Sequence, residues 1–258
     1  MDTHLIETLA EQLWSAEINV RPIDVLSRNY PGISEDEAYQ ISLTNLSKRE
    51  KAVIGYKLGY TSAAMRAQMG VDRPNFGYLT SDHNIEFASC AVDAARLIHP
   101  LVEPEIGLLT RRTLDGVGHS RASVYAAVEA VAPAIEIVDT RYKEYKFTAN
   151  DNIADNSSSA RFVLGSLRPF ASVDTLSLLG VTLWSEGYVL DTGIGANALD
   201  DPLNALAWLV NALGRREQTL AAGSIVLTGG LTRAYPARAG QTFVAEFAAL
   251  GIAKVHFR

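Results

Sequence analysis

The sequence has a single cysteine, Cys90, in 258 residues. That excludes an internal disulfide and any cysteine-built zinc cluster, and it suits a reducing compartment. Long apolar runs are missing too: none approaches the roughly 18 residues that a membrane-spanning helix requires. Basic residues are in the minority, 23 Lys and Arg against 29 Asp and Glu. No stripe of them is interleaved with aromatics in the manner that tracks a phosphate backbone, so nucleic acid is not an expected partner. The histidines, His4, His83, His99, His119 and His256, are scattered without a pair at ligand spacing. The stretch MDTHLIETLAEQLWSAE is amphipathic and acidic where a secretory signal would be basic and then uniformly apolar. A cytoplasmic location is the expectation.

What is present is an ordinary globular composition, 48% apolar and 20% charged, long enough for one large core. No repeat, low-complexity tract or linker forces a cut, so residues 1–258 are expected to form a single catalytic domain, with a helical region over 1–50 and a sheet-built core over 51–258. Leu5, Ile6, Leu9, Leu13 and Trp14 recur at helical spacing, and Ser34 followed by Glu37 has the pattern of a capping box. Strands are expected at 52–60, 97–109, 134–139, 162–165, 180–184 and 187–191, with a closing strand series in the last forty residues. Helices are expected near 62–69 and 121–131, and a clearer one begins where Asp201 and Pro202 supply the cap and first turn. Strands that do not alternate strictly with helices predict an α+β fold, a rolled mixed sheet behind a helical front.

The segment LVEPEIGLL places Glu103 and Glu105 one residue apart in a run that is otherwise almost wholly apolar. In a strand, positions two apart point the same way with Cα atoms about 6.5 Å apart, so both carboxylates look at one spot. Glu136, in VAPAIEIVDTRY, sits between apolar neighbours on both faces of its own strand. A carboxylate there is costly to bury unless a cation meets it. Three carboxylates without a Cys or His cluster suit a hard divalent ion, Mg²⁺ or Mn²⁺. The plainer alternative makes Glu103 and Glu105 the solvent face of an edge strand and pairs Glu136 with an arginine such as Arg141. Lys57, central in VIGYKLGYTS, is a lysine in an apolar strand, where burial tends to depress the pKa; it suits proton transfer or anion binding, or else it snorkels from an edge. The segment ADNSSSARF offers a backbone-rich turn able to bind a carboxylate, and TGGL puts Thr228 beside two glycines that allow close approach.

Taken in order, GYKLGYTSAAMRAQMGV, LIHPLVEPEIGLL, APAIEIVDTRYKEYKFTANDNIADNSSSARFVLG and SIVLTGGLTRAYPARAGQTFVAEFAALG resemble the hydratase/decarboxylase branch of the fumarylacetoacetate hydrolase superfamily. The resemblance covers nearly the whole chain. It implies a mixed β-roll, Mg²⁺ or Mn²⁺ held by Glu103, Glu105 and Glu136, and an active-site lysine at Lys57. It also implies a lyase of meta-cleavage aromatic catabolism that decarboxylates a 2-oxo-3-enedioate of the 4-oxalocrotonate kind to a 2-hydroxydienoate. The alternative is hydration of 2-hydroxypenta-2,4-dienoate. Hydratases of the branch carry an additional Asp in a motif resembling GVDQPDFG, where this chain has GVDRPNFG: Asn75 cannot exchange a proton at neutral pH, and Asp72 is the neighbouring candidate acid. A dianionic substrate needs donors at both ends, and Ser158, Arg161 and Thr228 are the expected contacts beside Lys57. Asp200, Asp201 and Pro202 replace the Gly-His-Pro that the branch often has, and VLDTGIGANAL is an unusual version of the preceding loop. Carbon–carbon bond hydrolases of the parent superfamily need a His/Glu pair on an N-terminal helix, for which His4 with Glu7 or Glu11 would serve. A non-catalytic partner subunit is a further reading, although such a chain would be expected to have lost its ligands. The resemblance suggests a homo-oligomer, and association with a related hydratase or decarboxylase.

Overall fold

The computed structural model describes residues 1–63, 66, 67, 70–86, 88–173 and 175–258. Two capped helices open the chain. In α1 (Thr3–Ile18) the Asp2 carboxylate accepts from Leu5 N, and in α2 (Glu35–Ser47) Ser34 and Glu37 form the reciprocal capping box. Each cap satisfies amide donors that the first helical turn leaves open, typically a contribution of about 1 kcal/mol. Leu9, Leu13 and Ile41 are fully buried, which fixes the inner faces of both helices.

The strands that follow build two curled sheets. The larger contains β1 (Val53–Gly59), β2 (Asn75–Thr80), β4 (Leu101–Thr110), β5 (Val128–Val138), β6 (Ser159–Leu164) and β10 (Ile225–Leu227) in the order β2-β1-β10-β4-β5-β6, with β11 (Tyr235–Pro236) added to β4 and β7 (Arg168–Pro169) to β5. The smaller runs β3-β13-β12-β8-β9, from β3 (Ala91–Val92), β8 (Gly180–Ser185), β9 (Tyr188–Ile194), β12 (Thr242–Phe247) and β13 (Gly251–Phe257). Pairing is mixed: β1 lies parallel to β10 and β13 parallel to β3, with the other named pairs antiparallel. Further helices are α3 (Arg121–Tyr125), α4 (Ala149–Ala154) and α5 (Pro202–Gly214), the last capped by Asp201 and opened by Pro202 as expected. The predicted α+β architecture, with helices before the first strand, is what the chain adopts.

Two local expectations need correction. The helix expected over 121–131 stops at Tyr125, and from Val128 the chain is strand. Its alternating small and branched residues are buried on both faces and pair with β4 throughout, so tertiary pairing overrides a helical-looking local pattern. Strand β2 was not anticipated, although Phe76 and Tyr78 alternate in it and pack with Tyr39 and Tyr56. Of the helix expected near 62–69, Ala63, Arg66 and Ala67 are helical, while residues 64, 65, 68 and 69 lie outside the described residues.

The parallel seam between β1 and β10 carries Lys57 into the interior, and it closes on a glycine. A Cβ at Gly55 would lie 1.9 Å from the Ile225 carbonyl oxygen, backbone that cannot give way. Gly55→Ala should therefore lower unfolding stability by about 2 kcal/mol or more, the cost of overpacking a seam. Urea titration of the cation-free protein measures it, and a change below 0.5 kcal/mol, the ordinary range for a harmless substitution, would show that the seam can open.

Candidate metal centre

Strands β4 and β5 run antiparallel with Glu103 directly opposite Glu136 and Glu105 opposite Ala134. Opposed residues in such a ladder share a face, so the strand pairing delivers all three carboxylates to one side of the sheet. One oxygen from each lies within 4.8 Å of the others. Ala134, Phe162, Leu227 and Leu79 form a small buried apolar cluster on the same face, beside which Glu105 and Glu136 are fully buried. Lys57 reaches in from β1, across Leu227 of β10, to place Nζ 3.1 Å from Glu136 Oε2. It also donates to the Ser157 carbonyl at 2.9 Å.

The electrostatics follow from burial. Loss of water pushes Glu103 up to about 7, with Lys57 opposing and Glu136 adding to the shift. Burial and the charges of Glu136 and Glu103 drive Glu105 well above the usual carboxylate range. Burial raises Glu136 as well, against the pull of Lys57. Burial works against the ammonium of Lys57, but Glu136, Glu103 and Glu105 outweigh it and its pKa is raised. The expected depression is thus reversed, because the neighbouring charges come from other strands.

The arrangement fits a divalent ion. Glu105 Oε1 and Glu136 Oε1 are buried without any hydrogen-bond donor among the described residues, while Glu105 Oε2 accepts from Gly229 N at 2.7 Å. Orphaned carboxylate oxygens that converge on one point are the donor set of Mg²⁺ or Mn²⁺. The edge-strand alternative does not describe them: Glu105 and Glu136 are fully buried, and Arg141 pairs with Asp155. Glycines at 229 and 230 are what let the loop after β10 come so close. Gly229 has φ +105°, and a Cβ at Gly230 would lie 3.1 Å from the Glu103 carboxylate.

A second structural device holds the lysine. Asn156, Ser157 and Ser158 take left-handed backbone angles in succession, with φ 52°, 52° and 57°. Each costs an L-residue about 1–2 kcal/mol, so this turn must be tied down. Asn156 accepts from Tyr78 N at 2.7 Å and donates to Tyr78 O at 3.0 Å. Ser157 Oγ donates to Asn75 Oδ1 at 2.9 Å, Asn75 donates to Asn152 Oδ1 at 2.8 Å, and Asn152 donates to Ser158 Oγ at 3.0 Å. Arg141 anchors the turn through its buried ion pair with Asp155.

A cavity of about 500 Å³ opens from this floor. Lys57, Glu103, Asn152, Ser157 and Ser158 line its polar end, with Leu101, Val138, Tyr145 and Phe147 along the walls and Arg233 at the mouth. Of the residues expected from sequence, Lys57, Glu103, Glu105, Glu136 and Ser158 come together here. The others do not. Arg161 pairs with Ile137, one place along from Glu136, so it points to the opposite face and lines a separate groove with Asp82 and Asn84. Thr228 is buried with its hydroxyl donating to the Ile106 carbonyl, and what its loop offers the site is backbone. Asp72 is 82% exposed beside Arg73, whereas Asn75 is buried in the network under Lys57. His4, Glu7 and Glu11 line a groove of about 850 Å³ along α1 that shares no residue with the carboxylate cavity. Asn152, Tyr145, Phe147 and Arg233 were not foreseen; an aromatic pair just before the α4 cap was the available signal for Tyr145 and Phe147.

A curled mixed-sheet enzyme with three carboxylates and a lysine at the floor of one cavity is the class that this geometry defines. The chain belongs to the fumarylacetoacetate (FAA) hydrolase C-terminal family, whose model matches residues 52–258. It is 35% identical over 246 residues to the 4-oxalocrotonate decarboxylase of Pseudomonas sp. (strain CF600), across 94% of this chain and 92% of that one. It is 38% identical over 266 residues to a 2-keto-4-pentenoate hydratase of Burkholderia vietnamiensis, across 99% and 98%. Its fold matches a solved 4-oxalocrotonate decarboxylase from Pseudomonas putida, complexed with magnesium and adipate, with a TM-score of 0.96 at 34% identity, covering 100% of this chain and 99% of that one.

The raised carboxylates set a sign for the pH dependence. With folded values above the ordinary 4.5, they withdraw stability from the cation-free chain as pH climbs from about 4.5 through 7, and a bound divalent ion reverses that loss. Mg²⁺ or Mn²⁺ should therefore raise the melting temperature more at pH 8 than at pH 5.5. At one hundred times Kd the gain is about 2.7 kcal/mol, several degrees for a chain of this size. Glu105→Gln should abolish the shift; a full shift in that variant would place the ion elsewhere.

Proposed function

We propose that this chain is a divalent-cation-dependent lyase that decarboxylates a 2-oxo-3-enedioate to a 2-hydroxydienoate and CO₂, with Mg²⁺ as the ion. The observation that carries the reading is the convergence of Glu103, Glu105 and Glu136, the last two fully buried, with Glu103 and Lys57 lining the floor of a cavity. Held by the three glutamates, the ion would act as a Lewis acid toward the carboxylate and 2-oxo oxygens of the substrate. In a six-carbon substrate the C5–C6 bond breaks, C6 leaves as CO₂, and the electron pair moves through the conjugated carbons to the 2-oxo oxygen. The Lys57 ammonium, fixed by Glu136 and the Ser157 carbonyl, is the buried cationic proton donor that the cavity offers to that developing charge. Apolar walls from Leu101, Val138 and Phe147 exclude water, which strengthens each of these interactions. Ser158 is the hydroxyl available to orient the substrate.

Hydration of 2-hydroxypenta-2,4-dienoate is the second reading, favoured by the named hydratase among the relatives. It requires an acid for a carbon, and the position inside the network is an amide, Asn75, whose hydrogen bonds are taken by Ser157 and Asn152. Decarboxylation needs no such acid. We place the working enzyme in the bacterial cytoplasm as a homo-oligomer, for which the exposed Tyr188 and Val189 on outer strand β9 offer a contact surface.

The test is purified protein with Mg²⁺ and 2-oxo-3-hexenedioate, following CO₂ release and ultraviolet absorbance, with 2-hydroxypenta-2,4-dienoate in parallel. CO₂ release that EDTA abolishes is the expected result. Lys57→Met should lower kcat about a hundredfold or more, the range for a lost proton-transfer group, and leave Mn²⁺ binding in place. Turnover of the dienoate alone would make the enzyme a hydratase.

A further inference from the structure

We propose that Arg233 receives the distal carboxylate of the substrate and thereby selects dicarboxylates over monocarboxylates. The inference rests on the lyase reading above and adds a recognition element to it. The starting observation is a break in register. Leu227 pairs with Gly107 and Tyr235 with Val102, so eight steps along one strand span five along β4, leaving three residues in excess. The surplus is thrown out between Leu231, whose amide donates to the Pro104 carbonyl, and Tyr235. It lies opposite Glu103 and carries Arg233.

That bulge places Arg233 where two cavity lobes meet. The main lobe of about 500 Å³ and a second of about 260 Å³ share Gly59, Tyr60, Glu103 and Arg233. Asn197 and Thr192, from the loop that departs from the usual family pattern, line the second lobe, and Asn197 is tied to the Leu231 carbonyl at 2.7 Å. Among the described residues lining both lobes, Lys57 and Arg233 are the cationic ones. Lys57 is committed at the floor to Glu136 and the Ser157 carbonyl. A substrate with a second carboxylate, anchored by its oxo-acid end beside Glu103, therefore has Arg233 as the cation toward which its other end points.

The guanidinium is held ready for this. Its Nε donates to Tyr235 Oη at 2.7 Å and its plane lies over the Tyr235 ring, 5.0 Å from the centroid. Tyr235 Oη is itself fixed by donation to the Leu190 carbonyl at 2.9 Å. Asp191 stands 3.8 Å from Nε, beyond hydrogen-bond reach, and neither terminal nitrogen meets an acceptor among the described residues. Two parallel donors are thus free for a bidentate carboxylate contact. With 73% of the side chain exposed, the arginine stands at the entrance rather than in the floor.

The chemistry predicts where its loss is felt. During decarboxylation the contacted carboxylate gives up its charge as CO₂, so the contact is stronger in the ground state than in the transition state. Arg233→Gln should raise KM for 2-oxo-3-hexenedioate while kcat falls far less than in proportion. A direct readout uses the Mg²⁺-loaded full chain and calorimetry with adipate, a six-carbon dicarboxylate, against hexanoate, which lacks one carboxylate. Arg233→Gln should weaken adipate about tenfold or more and change hexanoate less than twofold, with Arg233→Lys recovering part of the adipate affinity. Equal losses for both acids, or an adipate affinity that stays put, would overturn the assignment. If the wild type turns over neither substrate, the lyase reading fails, and the adipate-to-hexanoate contrast still decides whether Arg233 reads a second carboxylate.

Discussion

Three carboxylates brought to one spot, two of them fully cut off from water, are the constraint around which this protein is organised. With Lys57 counted, the group carries an excess of two negative charges when fully ionised, in a place where solvent reaches only Glu103 and spreads them poorly. No loop could hold such a cluster against its own repulsion. The continuous β4–β5 ladder can, because Glu103 and Glu136 are opposed across one rung and Glu105 follows two positions on. Their geometry is then set by backbone hydrogen bonds on either side rather than by the side chains themselves, which is the precision a metal-binding constellation needs. The neighbouring strands are arranged in service of that ladder. β10 inserts between β4 and β1, setting Lys57 one strand further out, at the reach of its own side chain.

The same charge excess accounts for the strained turn at 156–158. A lysine drawn only toward carboxylates would be free to move among three of them. The Ser157 carbonyl gives its ammonium a second, fixed acceptor, and presenting that carbonyl inward requires the left-handed backbone. The Arg141–Asp155 pair and the amide chain from Asn75 through Asn152 to Ser158 hold the turn in place. Burial lifts Asp155 to about 6 even with Arg141 beside it, so the anchor is itself a desolvated pair, stabilising because both partners are present. Strain, network and ion pair are one device whose output is the position of a single nitrogen.

How much of this could be read from the sequence depended on whether the deciding contact was local. The spacing of Glu103 and Glu105 is a strand period, and the apolar setting of Glu136 is visible in its neighbours, so the trio was legible as a group. Their mutual register was not, because it depends on a bulge where Leu109 gives way to Thr110, well along the ladder from Glu103 and Glu105. Arg161 follows the serine turn so closely that it invites a site role, yet a second irregularity between Ile137 and Val138 sets the parity that turns it to the other face. The helix over 121–131 failed for a related reason: Val128 to Val138 becomes strand because β4 is there to pair with it. Lys57 was expected to lose proton affinity from burial, and its direction reversed through three charges that arrive from other strands. Arg233 was invisible, since nothing in TGGLTRAYP announces that three residues will be extruded opposite Glu103.

On the proposed chemistry, these positions have a direction. Decarboxylation moves negative charge inward, from a carboxylate near the mouth to an oxygen at the floor. A site suited to it must hold the outer charge lightly and the inner one firmly. Arg233 is exposed and engages through one nitrogen, while Lys57 is buried and fixed by two acceptors, so the gradient of constraint runs the same way as the electrons. Hydration has no such vector; it requires a proton to be delivered to carbon from the side. The group that the network puts at that side is the Asn75 amide, which donates to Asn152 and accepts from Ser157 and so has its geometry spent on holding the turn. An aspartate there would add a fourth negative charge beside a lysine already drawn by three glutamates, loosening the hold of Glu136 on it. The amide thus leaves the charge balance of the floor to Lys57 and the glutamates alone.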